Sequence, residues 1–133
     1  EKNIEYYQEL SLKLKIDDRV IFTGPREDVD DFYVISDVFL FPTHYEPFSN
    51  VVLEAMSFEN AVFTTKQNGA SEILNDDFVM NDSNDFSILS KINKLLKNRA
   101  ELENVKKENR LDSQQFSIEF NLSKTLKIIN KFL

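Results

Sequence analysis

The sequence predicts a three-layer α/β domain built on a doubly wound parallel sheet. Short, almost uninterrupted apolar runs, typical of parallel strands covered on both faces, occur at residues 20–22, 38–41 and 61–64. Segments with helical periodicity separate these runs, and strands that alternate with helices in this way indicate a parallel sheet with helices on both sides. A length of 133 residues fits one domain.

The elements of the amino-terminal half can be assigned in order. Helical segments at residues 29–36 and 49–58 alternate with the three apolar runs, which we assign as strands. A one-turn helix at residues 71–74 and a fourth strand at residues 78–80 follow. Before all of these lies a first helix, whose apolar residues are Ile4, Tyr7, Leu10, Leu12 and Leu14.

The carboxyl-terminal part has a helical pattern throughout. Ser83 or Asp85 is placed to cap a helix, and the apolar residues of that helix are Phe86, Leu89, Ile92, Leu95 and Leu96. Another helix covers residues 98–109 after a short break. The last is amphipathic, and its apolar stripe consists of Ile118, Leu122, Leu126, Ile129 and Leu133.

Charge is unevenly distributed along the chain. Residues 1–90 hold 6 Lys or Arg against 18 Asp or Glu, whereas residues 91–133 hold 10 against 5. A domain with a net charge of -7 is a poor nucleic-acid binder, because such affinity depends on neutralising phosphates. The basic helix face with Lys124, Lys127 and Lys131 is a candidate contact for an anionic membrane or an acidic partner, and an ordinary solvated face is the simpler interpretation.

Residue counts exclude several kinds of site. With two glycines, Gly24 and Gly69, the chain lacks the dinucleotide-binding and P-loop motifs. One histidine, His44, and no cysteine leave neither a thiolate metal site nor a disulfide. No serine has the flanking glycines of a hydrolase nucleophile. No apolar run reaches the roughly 20 residues of a membrane-spanning helix, and the composition favours a soluble intracellular domain.

Two glutamates form the most informative pattern. Glu46 and Glu54 have seven residues between them, about two helical turns, in a stretch that changes from strand to helix. Ligands of open α/β sheets bind beyond the carboxyl ends of the strands, and residues 43–50 follow such an end. A helix that begins near Ser49 leaves backbone N–H groups free to meet an anion. These features predict a site for an elongated polar ligand.

The segments around this pair resemble one enzyme family. They read DVFLFPTHYEPFSNVVLEAM at residues 37–56, AVFTT at 61–65 and NGASEI at 68–73, preceded by DRVIFTG at 18–24. From about residue 4 to the C-terminus, their order and spacing are similar to the nucleotide-sugar-binding C-terminal domain of retaining GT-B glycosyltransferases, glycosyl transferases group 1 (family 4). The resemblance implies that residues 1–133 are a single donor-binding domain, the Rossmann-like half of a GT-B fold without its first strands.

The resemblance also implies an activity. A full-length enzyme would transfer a hexose, with retention, from a nucleotide diphosphate sugar to a glycan or glycolipid acceptor in lipopolysaccharide, capsule or related polysaccharide synthesis. The nucleotide sugar is the donor substrate, so no cofactor or metal is expected. The expected location is the cytoplasm, including the cytoplasmic face of the membrane. The N-terminal acceptor domain and the basic residues that grip the diphosphate are expected upstream of Glu1, so the fragment alone should be inactive.

Roles for single residues follow from matching positions in the family. Glu46, the candidate catalytic residue, would accept hydrogen bonds from hydroxyls of the transferred sugar, and Glu54 from the ribose hydroxyls, because an ionised carboxylate accepts several strong O–H bonds. The loop and helix start would hold the diphosphate, and the candidate residues there are Phe48, Ser49, Asn50 and Val51. Pro25 and Arg26, which follow Gly24, would lie near the base. Phe48 has the simpler interpretation of a loop anchor packed on the core.

The chain departs from the family pattern at several positions. Pro47 and Ser49 replace the usual glycines after Glu46. Asn60 stands near the usual Gly-x-Pro, where it is expected to adopt the left-handed conformation of a helix C-cap. In GT-B enzymes the final helix commonly crosses to the N-terminal domain. We therefore expect its apolar stripe to be under-buried in this chain, and the fragment to self-associate.

Two other readings of the same residues stay open. One is a non-catalytic Rossmann-like module that binds a nucleotide or a protein partner. The other is a GT-B phosphorylase or epimerase, which reuses similar halves. Considered alone, a glutamate before a proline is usually solvated, and one in a first helical turn usually just favours the dipole. It is the surrounding pattern that favours the transferase.

Overall fold

The computed structural model describes residues 3–132 and shows a parallel sheet flanked by helices. Its strands β1 (Val38–Phe41), β2 (Ala61–Thr65) and β3 (Val79–Met80) pair in that order. The α-helices are α1 (Ile4–Leu14), α2 (Val29–Ile35), α3 (Asn50–Ser57), α4 (Ile88–Lys97), α5 (Arg99–Ser113) and α6 (Ile118–Ile129). Short 3₁₀ helices cover Gly69–Ile73, Asp76–Phe78 and Gln114–Phe116. The predicted α/β fold is confirmed.

Polar residues set the starting points of three helices. The side chain of Asn3 accepts a hydrogen bond from the backbone N–H of Tyr6 and begins α1. Asn98 begins α5 in the same way, and Ser117 begins α6. Each supplies an oxygen to a first-turn N–H group that the helix itself leaves unpaired. The predicted helix at residues 98–109 thus starts within one residue of α5, which continues to Ser113.

The core consists of two clusters, and alternate residues of β2 belong to different clusters. One contains Val62 with buried residues of α2 and α3, namely Tyr33, Val52, Ala55 and Met56. The other contains Ala61 and Phe63 with buried residues of α4 and α5, namely Ile88, Leu95 and Leu102. Because successive side chains of a strand point to opposite faces, helices cover the central strand from both sides.

The prediction that every strand is covered on both faces holds for β2 but not for β1. All five residues of β2 are buried, whereas Leu40 of β1 is 42% exposed. The predicted strand at residues 20–22 is wrong: these residues belong to no strand or helix, and Ile21 is 87% exposed. A strand requires a hydrogen-bonded neighbour, and within residues 3–132 no strand pairs with this segment.

The turn before α4 corrects the predicted start of that helix. The Asp85 carboxylate accepts hydrogen bonds from the hydroxyl and backbone N–H of Ser87 and from the backbone N–H of Asn81. These bonds, the Ser87 hydroxyl first, lower the pKa of Asp85 to about 2. Asp85 therefore holds a turn at residues 81–87. The helix begins only at Ile88, and Phe86 is 72% exposed instead of joining the core.

The residue with left-handed backbone after α3 is Glu59, whose φ is 58°. The prediction that Asn60 adopts this conformation is therefore wrong by one position. Asn60 is fully buried. Its side-chain nitrogen donates to the carbonyl oxygens of Tyr33 and Ala55, at 3.0 and 3.1 Å. The backbone thus leaves α3, which ends at Ser57, through the left-handed Glu59. The Asn60 side chain then connects α2 to α3 through these two hydrogen bonds.

Polar contacts attach α5 to the amino ends of β1 and β2. Asp37, just before β1, accepts hydrogen bonds from Arg99 at 2.8 Å and Lys106 at 3.1 Å. The Arg99 guanidinium, together with Lys106, holds the pKa of Asp37 below its ordinary value. Asn109 donates to the carbonyl oxygen of Asn60 at 2.8 Å. All these contacts lie at the amino edge of the sheet and leave the carboxyl edge uncovered by α5.

The last helix, α6, lies on the outside of the domain. Every residue from 118 to 132 is exposed, and Ile118 is 82% exposed. Under-burial of the apolar stripe is thus as expected for Ile118, Leu122, Leu126 and Ile129, while Leu133 lies outside the described residues. Within residues 3–132, no helix is both long enough and apolar enough to cross a membrane.

Candidate functional site

The loops that follow the three strands meet at the carboxyl edge of the sheet. The loop after β1 is bonded to the loop after β2 through a parallel bridge between Glu46 and Asn68. It also contacts the loop after β3, since His44 Nδ1 lies 3.1 Å from Ser83 Oγ. Lys66 Nζ donates to Asn81 Oδ1 at 2.7 Å. The predicted location of the site, beyond the carboxyl ends of parallel strands, thus corresponds to a continuous set of connected loops.

The backbone of Glu46 is held between two residues of the loop after β2. Its N–H donates to the carbonyl oxygen of Gln67 at 3.0 Å, and its carbonyl oxygen accepts from the N–H of Gly69 at 2.9 Å. A Cβ atom added to Gly69 would lie 1.9 Å from the carbonyl oxygen of Pro47. Glycine is therefore required at position 69 because the two loops approach each other too closely for any side chain.

Buried polar side chains at and just after the carboxyl end of β2 form hydrogen bonds that fix these loops. Thr64, Thr65 and Asn68 are all fully buried. The Thr64 hydroxyl donates to the carbonyl oxygen of Phe41 at 2.9 Å, and the Thr65 hydroxyl donates to that of Thr43 at 2.7 Å. These bonds connect the carboxyl end of β2 to the start of the loop that carries Glu46.

The side chain of Glu46 is available to a ligand. Among residues 3–132, its carboxylate makes no hydrogen bond or ion pair, and the residue is only partly buried. Phe48 is 44% exposed, so it is not the packed loop anchor of the simpler interpretation. Ser49 is buried, precedes the first residue of α3, and caps none of its N–H groups with its hydroxyl.

The amino end of α3 presents unpaired N–H groups beside this loop. The helix begins at Asn50, so the N–H groups of Asn50 and Val51 have no partner within the helix. Asn50 is exposed and Val51 is partly buried. The first turn contains no acidic residue. Open N–H groups and the positive end of the helix dipole favour an anion at this position.

Glu54 lies on the next turns of α3 and contacts α2. The Tyr33 hydroxyl donates to Glu54 Oε2 at 3.3 Å. Burial, and then the charge of Glu54, raises the pKa of Tyr33 to about 12, so Tyr33 stays a donor at neutral pH. Glu54 also lines a cavity of about 480 Å³ against the junction of α5 and α6, which includes Gln114 and Phe116.

Of the residues predicted to lie near a base, Arg26 lines a cavity that Tyr33 also lines. Arg26 forms an ion pair with Asp28 at 2.6 Å, and its guanidinium carbon lies 5.6 Å from the centre of the Phe32 ring. The ion pair lowers the pKa of Asp28 and raises that of Arg26. The cavity has a volume of about 300 Å³ and is also lined by Thr23, Gly24, Val29, Phe32, Ser36 and Phe39. Pro25 is exposed beside Arg26.

The structure therefore sorts the predicted residues into two groups. Glu46 belongs with the loops after β2 and β3, through the contacts of Asn68 and His44. Glu54 belongs with Tyr33 and, through the cavity beside Tyr33, with Arg26. The amino end of α3 lies between the two groups along the chain. The two carboxylates thus belong to different sets of contacts, and a single elongated ligand that meets both stays a prediction.

The site has little positive charge of its own. Lys66 is the only Lys or Arg between residues 38 and 90. It lies at the carboxyl end of β2, where it bonds to Asn81. These loops therefore supply at most one cation to a ligand at the site.

Sequence reasoning missed the residues that support the site. Tyr33, Thr64 and Asn68 contribute through contacts between distant segments, which no periodicity reveals. Gly69 could have been found, because a domain with only two glycines uses them where backbone freedom or close approach is needed. Its neighbour in the NGASEI segment, Asn68, carried no such signal.

Comparison with known proteins identifies a family and a fold for this chain. The sequence profile of the family described as Glycosyl transferases group 1 matches residues 1–112. A capsular polysaccharide biosynthesis glycosyltransferase of Staphylococcus aureus, CapM, is 34% identical over 96 residues. That match covers 65% of this chain and 25% of CapM. The chain thus spans about a quarter of the length of this curated relative.

Solved structures show the same fold. A glycosyltransferase from Rickettsia africae has a TM-score of 0.82 at 23% identity, over 96% of this chain and 35% of its own. Anabaena HepE, in complex with UDP, has a TM-score of 0.80 at 21% identity, over 96% of this chain and 36% of its own. The C-terminal domain of LpcC from Francisella tularensis has a TM-score of 0.73 at 22% identity, over 86% of this chain and 64% of its own. Because the family profile matches residues 1–112, which is most of the chain, the chain belongs to the glycosyl transferases group 1 family.

Proposed function

We propose that this chain is the donor-binding domain of a retaining glycosyltransferase. The whole enzyme would transfer a hexose from a nucleotide diphosphate sugar to a glycan or glycolipid acceptor, in capsule, lipopolysaccharide or related polysaccharide synthesis in the cytoplasm. One observation carries the proposal: within residues 3–132 the carboxylate of Glu46 has no partner, and the Glu46 backbone is fixed at the carboxyl edge of the sheet, in the loop that leads to the amino end of α3. Membership of the family supports glycosyl transfer, and the UDP bound to HepE supports a nucleotide donor.

The donor would extend along the loop and the start of α3. Hydroxyls of the sugar would donate to Glu46, and the diphosphate would accept from the N–H groups of Asn50 and Val51. Charge-assisted hydrogen bonds of both kinds are stronger than neutral ones. The ribose hydroxyls would donate to Glu54, which Tyr33 orients, and the base would lie near Pro25 and Arg26. Ser49 and Phe48 would shape the bend between sugar and diphosphate.

The chemistry requires two charges to be stabilised. As the bond between the sugar and the diphosphate breaks, the sugar becomes oxocarbenium-like and the diphosphate gains negative charge. The N–H groups at the start of α3 are oriented before the reaction, so they stabilise that growing charge without reorganising. Glu46 would hold the sugar ring in the reactive orientation. The acceptor pocket and further basic groups would come from outside this chain, so the chain alone is expected to show no transfer.

The competing function is a non-catalytic module that binds a nucleotide. It shares the contacts of Glu54 and Arg26 but has no use for a carboxylate that is held free at the sheet edge. The two functions therefore differ in what they predict for Glu46.

The test is sugar transfer by the full-length protein with a panel of nucleotide sugars. We expect Glu46→Gln to lower kcat roughly tenfold to a hundredfold, because a lost charged hydrogen bond costs about 1.5–3 kcal/mol. The matched control is Glu108→Gln, an exposed glutamate on α5 next to Asn109, which bonds at the amino edge of the sheet, opposite the site. Parental kinetics in Glu46→Gln, with nucleotide binding intact, would favour the module.

A further inference from the structure

The position of the Glu46 carboxylate depends on the backbone of its loop, because its side chain has no partner within residues 3–132. That backbone is bonded to Gln67 and Gly69 in the loop after β2. Whatever holds the loop after β2 therefore also determines where the carboxylate lies.

A buried asparagine holds that loop. Asn68 is fully buried, and its Oδ1 accepts a hydrogen bond from the N–H of Ala70 at 3.0 Å. Its Nδ2 donates to Thr64 Oγ1, also at 3.0 Å. The Thr64 hydroxyl in turn donates to the carbonyl oxygen of Phe41. Because a carbonyl only accepts and an amide N–H only donates, the direction of every bond in this chain is determined.

These bonds close a circuit between two strands and their loops. Phe41 is the last residue of β1, from which the Glu46 loop departs. The circuit runs from Phe41 through Thr64 and Asn68, and it closes where Asn68 and its neighbours pair with Glu46. We propose that Thr64 and Asn68 are positioning residues that hold the Glu46 carboxylate at the sheet edge. The inference rests on the proposed function, in which Glu46 contacts the transferred sugar.

The energetics indicate that this pair contributes to geometry more than to stability. Replacing both partners of a buried hydrogen bond by apolar groups of the same shape is often nearly neutral for folding. A pair of buried polar side chains is therefore not needed merely to fill this part of the core. The pair instead selects one arrangement of the two loops, because any other arrangement leaves a buried polar atom without a partner.

The experiment compares three substitutions in β2. Thr64→Val removes the hydroxyl but keeps the shape, Thr64→Ser restores the hydroxyl, and Val62→Ala is the control that weakens the same strand without touching the circuit. Asn68→Asp, which loses the donor to Thr64, is a second variant should Thr64→Val fail to fold. The first readout is hydrogen exchange at the N–H groups of Glu46 and Gly69 in the chain itself. The second is donor kinetics of the full-length protein.

We expect Thr64→Val and Asn68→Asp to speed exchange at both N–H groups at least about tenfold. We expect them to lower kcat roughly tenfold, with little change in the Kd for the nucleoside diphosphate, because Glu46 alone is displaced. Thr64→Ser and Val62→Ala should remain near the parental values.

Two outcomes would overturn the inference. One is exchange in Thr64→Val no faster than in Val62→Ala. The other is faster exchange with unchanged kcat, which would mean that the transfer step does not need a fixed Glu46. If the parental full-length protein transfers no sugar from any donor, the proposed function fails, and the exchange data still decide by themselves whether Thr64 and Asn68 hold the loop.

Discussion

The hydroxyl of Tyr33 donates a hydrogen bond to Glu54 Oε2 across 3.3 Å and so joins α2 to α3. Tyr33 is itself buried in the cluster that packs α2 and α3 on the sheet. Its ring stacks on that of Phe58 at 5.7 Å and meets Phe39 edge to face at the same distance. The ring is thus fixed by packing, and the hydroxyl presents one oriented donor to a carboxylate that is otherwise exposed.

Removing this donor should weaken donor binding without impairing transfer. In the full-length protein we expect Tyr33→Phe to raise the donor KM about threefold to tenfold, since a single hydrogen bond contributes on the order of 1 kcal/mol. The value of kcat should stay close to the parental one, because Glu46 is held by other loops. Steady-state kinetics check this, with Tyr7→Phe on α1 as the control. A fall in kcat at unchanged KM would contradict the assignment of Glu54 to the nucleoside.

Removing the Glu54 carboxylate should have a larger effect of the same kind. Glu54→Ala in the full-length protein is expected to raise the donor KM roughly tenfold or more, because its hydrogen bonds to the ribose would be charge-assisted. Nucleoside diphosphate titration measures the same loss directly. An increase in KM as large for a donor analogue without ribose hydroxyls would show that Glu54 acts on another part of the ligand.

A side chain at position 69 should force the two site loops apart. We expect Gly69→Ala to lower the free energy of unfolding by about 1–3 kcal/mol, since its Cβ would overlap the backbone of Pro47. Gly24→Ala is the matched control. Gly24 has open space around its Cβ position but a φ of 62°, so only conformational strain of about 1 kcal/mol is expected there. Urea unfolding of both variants checks the difference, and equal losses would contradict the close approach.

The ion pairs of Asp37 should make stability depend on acid pH. The folded-state pKa of Asp37 is lowered, so its contribution is complete above the ordinary Asp value of about 4 and is lost as pH falls through the lowered folded value. Because the carboxylate is partly exposed, we expect about 0.5–1 kcal/mol. Asp37→Asn should remove this component from unfolding curves measured between about pH 2 and 7. An unchanged pH profile in Asp37→Asn would be the contradictory result.

The exposed stripe of α6 should lead the isolated chain to self-associate. Ile118, Leu122 and Ile129 recur at spacings of four and seven residues, and two such helices can pair along this seam. We expect light scattering to detect dimers that increase with protein concentration. Leu122→Gln should shift the chain to monomers, whereas Ser123→Gln on another face should not. A monomer at every concentration would show that the stripe does not pair with a second copy.

Local chemistry explains what the sequence determined about this protein. Almost uninterrupted apolar runs, separated by segments with helical periodicity, were enough to predict the α/β class, and caps such as Asn98 act within a single helical turn. The pair Glu46 and Glu54 could be proposed as a site because its spacing, and the segments around it that resemble the family, are read directly along the chain. The strand prediction for residues 20–22 was wrong because an apolar pattern is not sufficient for a strand. A strand also requires a hydrogen-bonded neighbour.

The tertiary structure alone decided how the site is held. Tyr33 and Glu54 are 21 residues apart in sequence, and Thr64 and Phe41 are 23 apart. Such contacts form only when the helices and strands pack together, so no local sequence pattern predicts them. Asp85 shows the same limit on a smaller scale, because its turn competes with the helix that its sequence favours. The candidate site residues can thus be identified from the sequence, whereas the contacts that position them form only when distant segments pack together.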